Sequence, residues 1–180
     1  MTTLVEQRPR KYPIALAGVL WTVGMLFAAF TAALYMRRAG GDWSPVALPS
    51  VVWVNTVILA CSSVVIEFAR SRRVSGGRDL NRWLGIATLL GLLFLGGQLV
   101  AWTQLTAAGV YLPTNPHSSF FYMLTAVHGA HVLGGIGALV WVRRKAPESS
   151  SSWRPLKHVA MYWHFVGIVW LWLLFALSTL

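Results

Sequence analysis

The sequence predicts an all-α integral membrane protein, a bundle of five transmembrane helices. Three observations predict it. Hydrophobic residues make up 56% of the 180-residue chain and charged residues only 11%, where a soluble domain carries about 25% charge. The apolar residues fall into five runs, each near the ~20 residues that cross ~30 Å of hydrocarbon as a helix. Lys and Arg gather at alternate links between the runs, as they do on the cytoplasmic side of membrane proteins.

Residues 1–12 are polar and basic and read as a cytoplasmic N-terminal segment; residues 13–180 read as one transmembrane domain. The first run, about 13–36, opens on Pro13, which suits a first helical turn. It is too long for a signal-peptide core and is expected to remain as the first span. The others cover about 50–69, 83–105, 118–142 and 158–180. Turn-forming links separate them at Gly40–Pro45, Ser75–Gly77, Pro113–Pro116 and the serine run Ser149–Ser152. No run alternates in the two-residue period of a barrel strand.

Thirteen Lys or Arg residues lie in the N-terminal segment and the second and fourth links, and only Arg37 and Arg38 lie on the other side. The N-terminus is therefore expected in the cytoplasm and the C-terminus outside. The same pattern accounts for the net charge of +10, so no nucleic-acid partner is expected. Trp43 and Trp102 at one side, and Trp83 and Trp141 at the other, fit aromatic belts. The single cysteine, Cys61, reads as a small hydrophobe.

Polar residues inside the runs mark candidate sites, because such groups are expensive in hydrocarbon. Asn55 and Thr56 in the second run and Gln98 in the third are expected to form interhelical hydrogen bonds. Glu67 stands three residues before Arg70 on one helix face and reads as an interfacial acid paired with it. A proton-relay carboxylate is the alternative. The fourth run holds His128 and His131 beside Ala126, Ala130, Gly134 and Ala138, small residues that form one slowly turning ridge. His131 lies about 100° beyond Ala130 and His128 roughly 60° further. Both rings are expected to border the ridge and to make neutral, hydrogen-bonded helix contacts. His164 of the fifth run would lie about 9 Å from the cytoplasmic end, against about 16 Å for His131, so the two could approach.

Two histidines at i and i+3 also raise metal binding. Zinc needs three or four ligands, and only His164 and Glu67 could add to the pair, at different depths. His131 and His164 come nearest to a bis-histidine haem pair. A self-contained haem-binding membrane cytochrome is thus the rival from another class. His117 and His158, at span ends, carry no clear signal. Phosphate loops, activated nucleophiles and paired carboxylates are not evident, and no catalytic, metal or cofactor residue is assigned.

Longer motifs add a family. His128-Gly129-Ala130-His131-Val132 with Gly134 and Gly135 resembles the His-Gly-x-His-Val segment of haem-copper oxidase subunit III. Tyr162-Trp163-His164-Phe165-Val166-Gly167-Ile168-Val169-Trp170 is similar to that family's Trp-His-Phe-Val-Asp-Val-Val-Trp. Val54-Asn55-Thr56 with Ser62-Ser63, Phe94 through Gln98, and Trp43-Ser44-Pro45 resemble further family segments, in order along nearly the whole chain. Five spans match the shorter bacterial form.

The resemblance implies a non-catalytic accessory subunit of a respiratory oxidase, in the bacterial inner (cytoplasmic) membrane. It would sit beside catalytic subunit I, support its stability and proton uptake, and contact other oxidase subunits; membership of a respiratory supercomplex is a further setting the resemblance allows. Haem and copper belong to those partner subunits. Bound phospholipid is implied, in a cleft between the first two helices and the rest. Cytochrome c is the expected donor; a quinol oxidase, or a homologue associated with nitric oxide reductase, is the alternative. His128, His131, His164, Asn55, Gln98, Glu67, Gly134, Gly135 and Trp163 become structural or intersubunit candidates. Three acids common in the family are replaced here, by Val23, Ala101 and Gly167, which removes carboxylates that a proton-conducting role would use.

Overall fold

The computed structural model describes residues 11–71, 77–145 and 154–179, and these form five α-helices with no strand among them. They are α1 (Lys11–Arg38), α2 (Val51–Ser71), α3 (Gly77–Ala107), α4 (Pro116–Lys145) and α5 (Arg154–Thr179). All five are long and apolar enough to span a membrane. The N-terminal segment through residue 10 and the serine run lie outside the described residues, as does most of the second link.

Each helix runs past its apolar stretch. At 31 residues α3 is about 46 Å long, well over the hydrocarbon thickness, so its polar first turns stand at the interface. Local charge suits the helix dipoles. Asp79 lies in the first turn of α3, and Arg143, Arg144 and Lys145 lie in the last turn of α4.

Helices α2, α3, α4 and α5 close into a ring: α2 packs on α3 and α5, and α4 packs on α3 and α5. Helix α1 joins from outside against α5 and α4, and its described backbone makes no close approach to α2 or α3. The first two helices therefore do not stand apart as a pair with a cleft behind them. Helix α2 is part of the ring, and α1 is anchored to it through α5 and α4.

The core is set by aromatic volume and by glycines that make room for it. Trp163 and Trp170 of α5 are fully buried, with Phe94 of α3 and Phe121 of α4. A Cβ at Gly91 would lie 2.7 Å from the Trp163 ring, and one at Gly135 would lie 3.0 Å from it. Only glycine lets α3 and α4 close on that indole. Outward residues are apolar as well, including Trp21, Met36, Val64 and Ile168. That surface suits lipid or partner helices as its solvent.

Candidate functional site

Interhelical hydrogen bonds stitch the ring through tryptophan donors. Trp170 Nε1 donates to Thr56 Oγ1 (3.0 Å), joining α5 to α2, and Trp102 Nε1 donates to Thr125 Oγ1 (3.1 Å), joining α3 to α4. Trp172 Nε1 donates to Thr31 Oγ1 (3.2 Å), tying α5 to α1. Ser62 Oγ donates to the Ala87 carbonyl (3.1 Å) between α2 and α3. Sequence patterning had assigned Trp102 to an aromatic belt. Thr31 also donates to the Phe27 carbonyl of its own helix while accepting from Trp172.

The candidate residues distribute themselves around this frame. His128 is buried where four helices meet. Its ring lies 5.1 Å from Trp170, 5.8 Å from Phe94 and 6.2 Å from Phe27. Neither ring nitrogen has a hydrogen-bond partner, so the expected hydrogen-bonded helix contact is replaced by aromatic packing. His131 is half-buried; its Nδ1 bonds the Val127 carbonyl of its own helix (2.8 Å), and its ring meets Phe27 of α1 at 5.4 Å. Tyr162 of α5 donates to the His131 carbonyl (3.1 Å).

The small-residue ridge is placed differently from expectation. Ala126, Ala130 and Gly134 are exposed on the outside of the bundle, and Ala138 is half-buried. The packing seam of α4 runs through Leu124, His128, Val132, Gly135 and Leu139. Geometry explains this. A residue about 160° around the helix from Ala130 lies opposite it, so burying His128 turns the ridge outward. Gly135, not Gly134, is the glycine pressed against Trp163.

His164 does not approach His131. It lies on the α2 side of α5, with Nε2 3.4 Å from Glu67 Oε2. Tyr162 and Trp163 face α4 instead, because Tyr162 and His164 are about 200° apart on the helix. Glu67 also accepts from Arg70 Nε (2.9 Å) and pairs with its Nη2 (2.5 Å), which is the interfacial pairing read from the spacing. His164 also lines a groove of about 290 Å³ between α2 and α5, together with Leu59, Ser63, Gly167 and Trp170. With His164 committed to Glu67, the described residues hold no facing pair of histidines. Nor do they hold a group of three or more His, Cys, Asp or Glu that could hold a metal ion.

Asn55 presses its amide against α3 at Gly97, where a Cβ would meet Asn55 Cγ at 2.7 Å. Its Nδ2 and both amide atoms of Gln98 lack partners; the expected direct hydrogen bonds are absent from those atoms. The acid-replacing positions differ in setting. Val23 and Ala101 are buried, whereas Gly167 lines the groove, where a Cβ would lie 3.6 Å from Ser63 Oγ.

Sequence reasoning overlooked His117. It is buried in the first turn of α4, accepts the Val46 N–H at Nδ1 (2.8 Å), and bonds the Leu177 carbonyl through Nε2 (3.2 Å). Trp43 packs on it at 5.2 Å. One imidazole thus pins the α1–α2 link to the end of α5. The signal was available: Asn115-Pro116 is a helix start, with Asn115 Oδ1 accepting the Ser118 N–H (2.9 Å), which places His117 inside the helix.

Five spans joined by indole, hydroxyl and imidazole hydrogen bonds, with outer faces left apolar, define a helical membrane bundle. Comparison with known proteins gives that bundle its family. The family model of cytochrome c oxidase subunit III matches residues 14–179. The chain is 32% identical to a probable cytochrome c oxidase subunit 3 of Mycobacterium leprae, over 95% of this chain and 90% of that one. It is 34% identical to cytochrome c oxidase subunit 3 of Synechocystis (79% and 64% covered) and 33% identical to that of Thermostichus vulcanus (82% and 75% covered). The chain belongs to the cytochrome c oxidase subunit III family.

Proposed function

We propose that this chain is the accessory subunit III of a haem-copper terminal oxidase, bound beside subunit I in a bacterial cytoplasmic membrane. The observation that carries the reading is the family match across all five spans. The names of the relatives favour cytochrome c, rather than quinol, as donor to the complex. The asymmetry of Lys and Arg supports a cytoplasmic N-terminus. The chain's own part is to present a stable helical surface to subunit I and to support its stability and proton uptake. Phospholipid is the proposed companion of its outer faces, and the α2–α5 groove offers it an apolar wall with ionic groups at one end.

The test is affinity purification of the tagged chain from membranes in mild detergent, followed by mass spectrometry and optical spectra. Recovery of multi-haem and copper-binding oxidase subunits in fixed ratio is expected. A chain recovered without them, or one showing a haem Soret band of its own, would overturn the reading.

A further inference from the structure

Four buried side chains among the described residues carry polar atoms without a protein partner: the Trp163 indole N–H, and the amides and imidazole of Asn55, Gln98 and His128. Asn55 is 1% exposed, Gln98 4% and His128 1%. Asn55 Nδ2, Gln98 Nε2 and Oε1, and both ring nitrogens of His128 have no hydrogen-bond partner among protein groups. Their surroundings connect them. His128 packs on Phe94 of α3 and Trp170 of α5, and those two rings lie 5.0 Å apart. Gln98 follows Phe94 by one helical turn. Asn55 lies against Gly97, the residue beside Gln98. Thr56, beside Asn55, accepts the Trp170 indole N–H. Helices α2, α3 and α4 thus each bring one unpartnered polar side chain to the region of the Phe94–Trp170 ring pair.

Leaving five such atoms unpaired in a membrane interior is too costly for a stable bundle. We infer that Asn55, Gln98 and His128 form an internal water-binding site, with at least one ordered water bridging Gln98 to His128 inside the α2–α5 ring. The chemistry selects water. Gln98 offers N–H donors and a carbonyl acceptor, Asn55 offers N–H donors, and a neutral imidazole offers one of each. Water both donates and accepts, and buried waters make about three hydrogen bonds. A cation would face mainly N–H donors. An anion would have no charged partner among the rings and amides that surround the site. An apolar ligand would leave every polar atom unpaired.

The test is a cryo-electron microscopy map of the intact oxidase complex at a resolution that shows ordered water. A density peak is expected at about 2.7–3.2 Å from polar atoms of both Gln98 and His128. A map in which these side chains bond each other directly, with no solvent peak between them, overturns the site. Gln98→Met, His128→Phe and their combination give a second measurement, the temperature at which the subunit leaves the complex. Each single variant strands the remaining partner, so each should lower that temperature, and the double variant should lose less than the sum of the two. Shifts that simply add would mean the residues share no water, and would also overturn the proposal.

Discussion

Gly91→Ala tests the closest fit in the core. The added Cβ would lie 2.7 Å from Trp163 Cη2, 3.2 Å from Trp163 Cζ2 and 3.2 Å from Ile136 Cγ1. The indole is 1% exposed, and a Cβ at Gly135 would lie 3.0 Å from another of its edges, so that side is close-packed as well. A rigid ring held on two edges cannot swing aside as a flexible side chain would. The cost should therefore fall near the top of the ~1–3 kcal/mol range for overpacking. Replacing glycine within a helix returns about 1 kcal/mol of propensity. The net expectation is destabilisation by about 2 kcal/mol, roughly a thirtyfold change in equilibrium. The assay is loss of the subunit from purified oxidase in a detergent or temperature titration, followed on native gels. Gly18→Ala is the control, since no atom lies within 4 Å of its added Cβ; it should be neutral or gain up to about 1 kcal/mol. Trp163→Phe should relieve much of the Gly91→Ala loss. A Gly91→Ala protein as stable as the parent, or an equal loss in the Trp163→Phe background, would refute the clamp.

His117→Leu should release the α1–α2 link: it strands the half-buried Val46 N–H, at a cost of about 1 kcal/mol, and faster proteolysis near Trp43 in the assembled complex would report it. Ala130→Phe, on the outward face of α4, should leave the thermal stability of the subunit's own fold unchanged. Val132→Ala, on the buried face, should lower it by roughly 1–3 kcal/mol; the reverse order would contradict the placement of the ridge. Asp42 has its carboxyl held below the ordinary 3.8, first by its hydrogen bond to Arg37. A depressed acid contributes stability that is present above 3.8 and lost as pH falls through the lowered value. Because the pair is solvent-exposed, Asp42→Asn should leave subunit retention unchanged between pH 6 and 8, as a pH series of native gels would show.

The helices were legible because the bilayer demands them: a chain that cannot leave peptide groups unpaired in hydrocarbon declares its spans by length alone. Their ends were less legible, since Gly77–Arg82 and Arg143–Lys145 are helical without being apolar. The Glu67–Arg70 pair was legible because three residues on one helix fix a distance without reference to any other element. What depended on a second helix was not. An interhelical bond was expected of Thr56, but its partner, Trp170, lies 114 residues away and no local spacing announces it. His117 was passed over because it sits beside a link, although its hydrogen bonds to Val46 and Leu177 join two segments far from it in sequence.

The ridge on α4 shows where one-dimensional reasoning has to stop. In water, a stripe of small residues and its opposite face would differ in polarity, and the hydrophobic effect would choose between them. In lipid both faces are apolar, and small residues alone do not say which one turns inward. Here the choice falls to the polar atoms. His128 lies opposite Ala130, and an imidazole facing hydrocarbon costs more than an alanine facing it. Turning His128 toward Phe94 and Trp170 therefore turns Ala126, Ala130 and Gly134 out. The same rule orients α5: Trp170 takes its indole N–H to Thr56, and the side of α5 that follows from this bond carries His164 to Glu67 rather than to His131. For a helix in a bilayer, the position of its most expensive polar group predicts the inward face better than the pattern of its cheapest side chains.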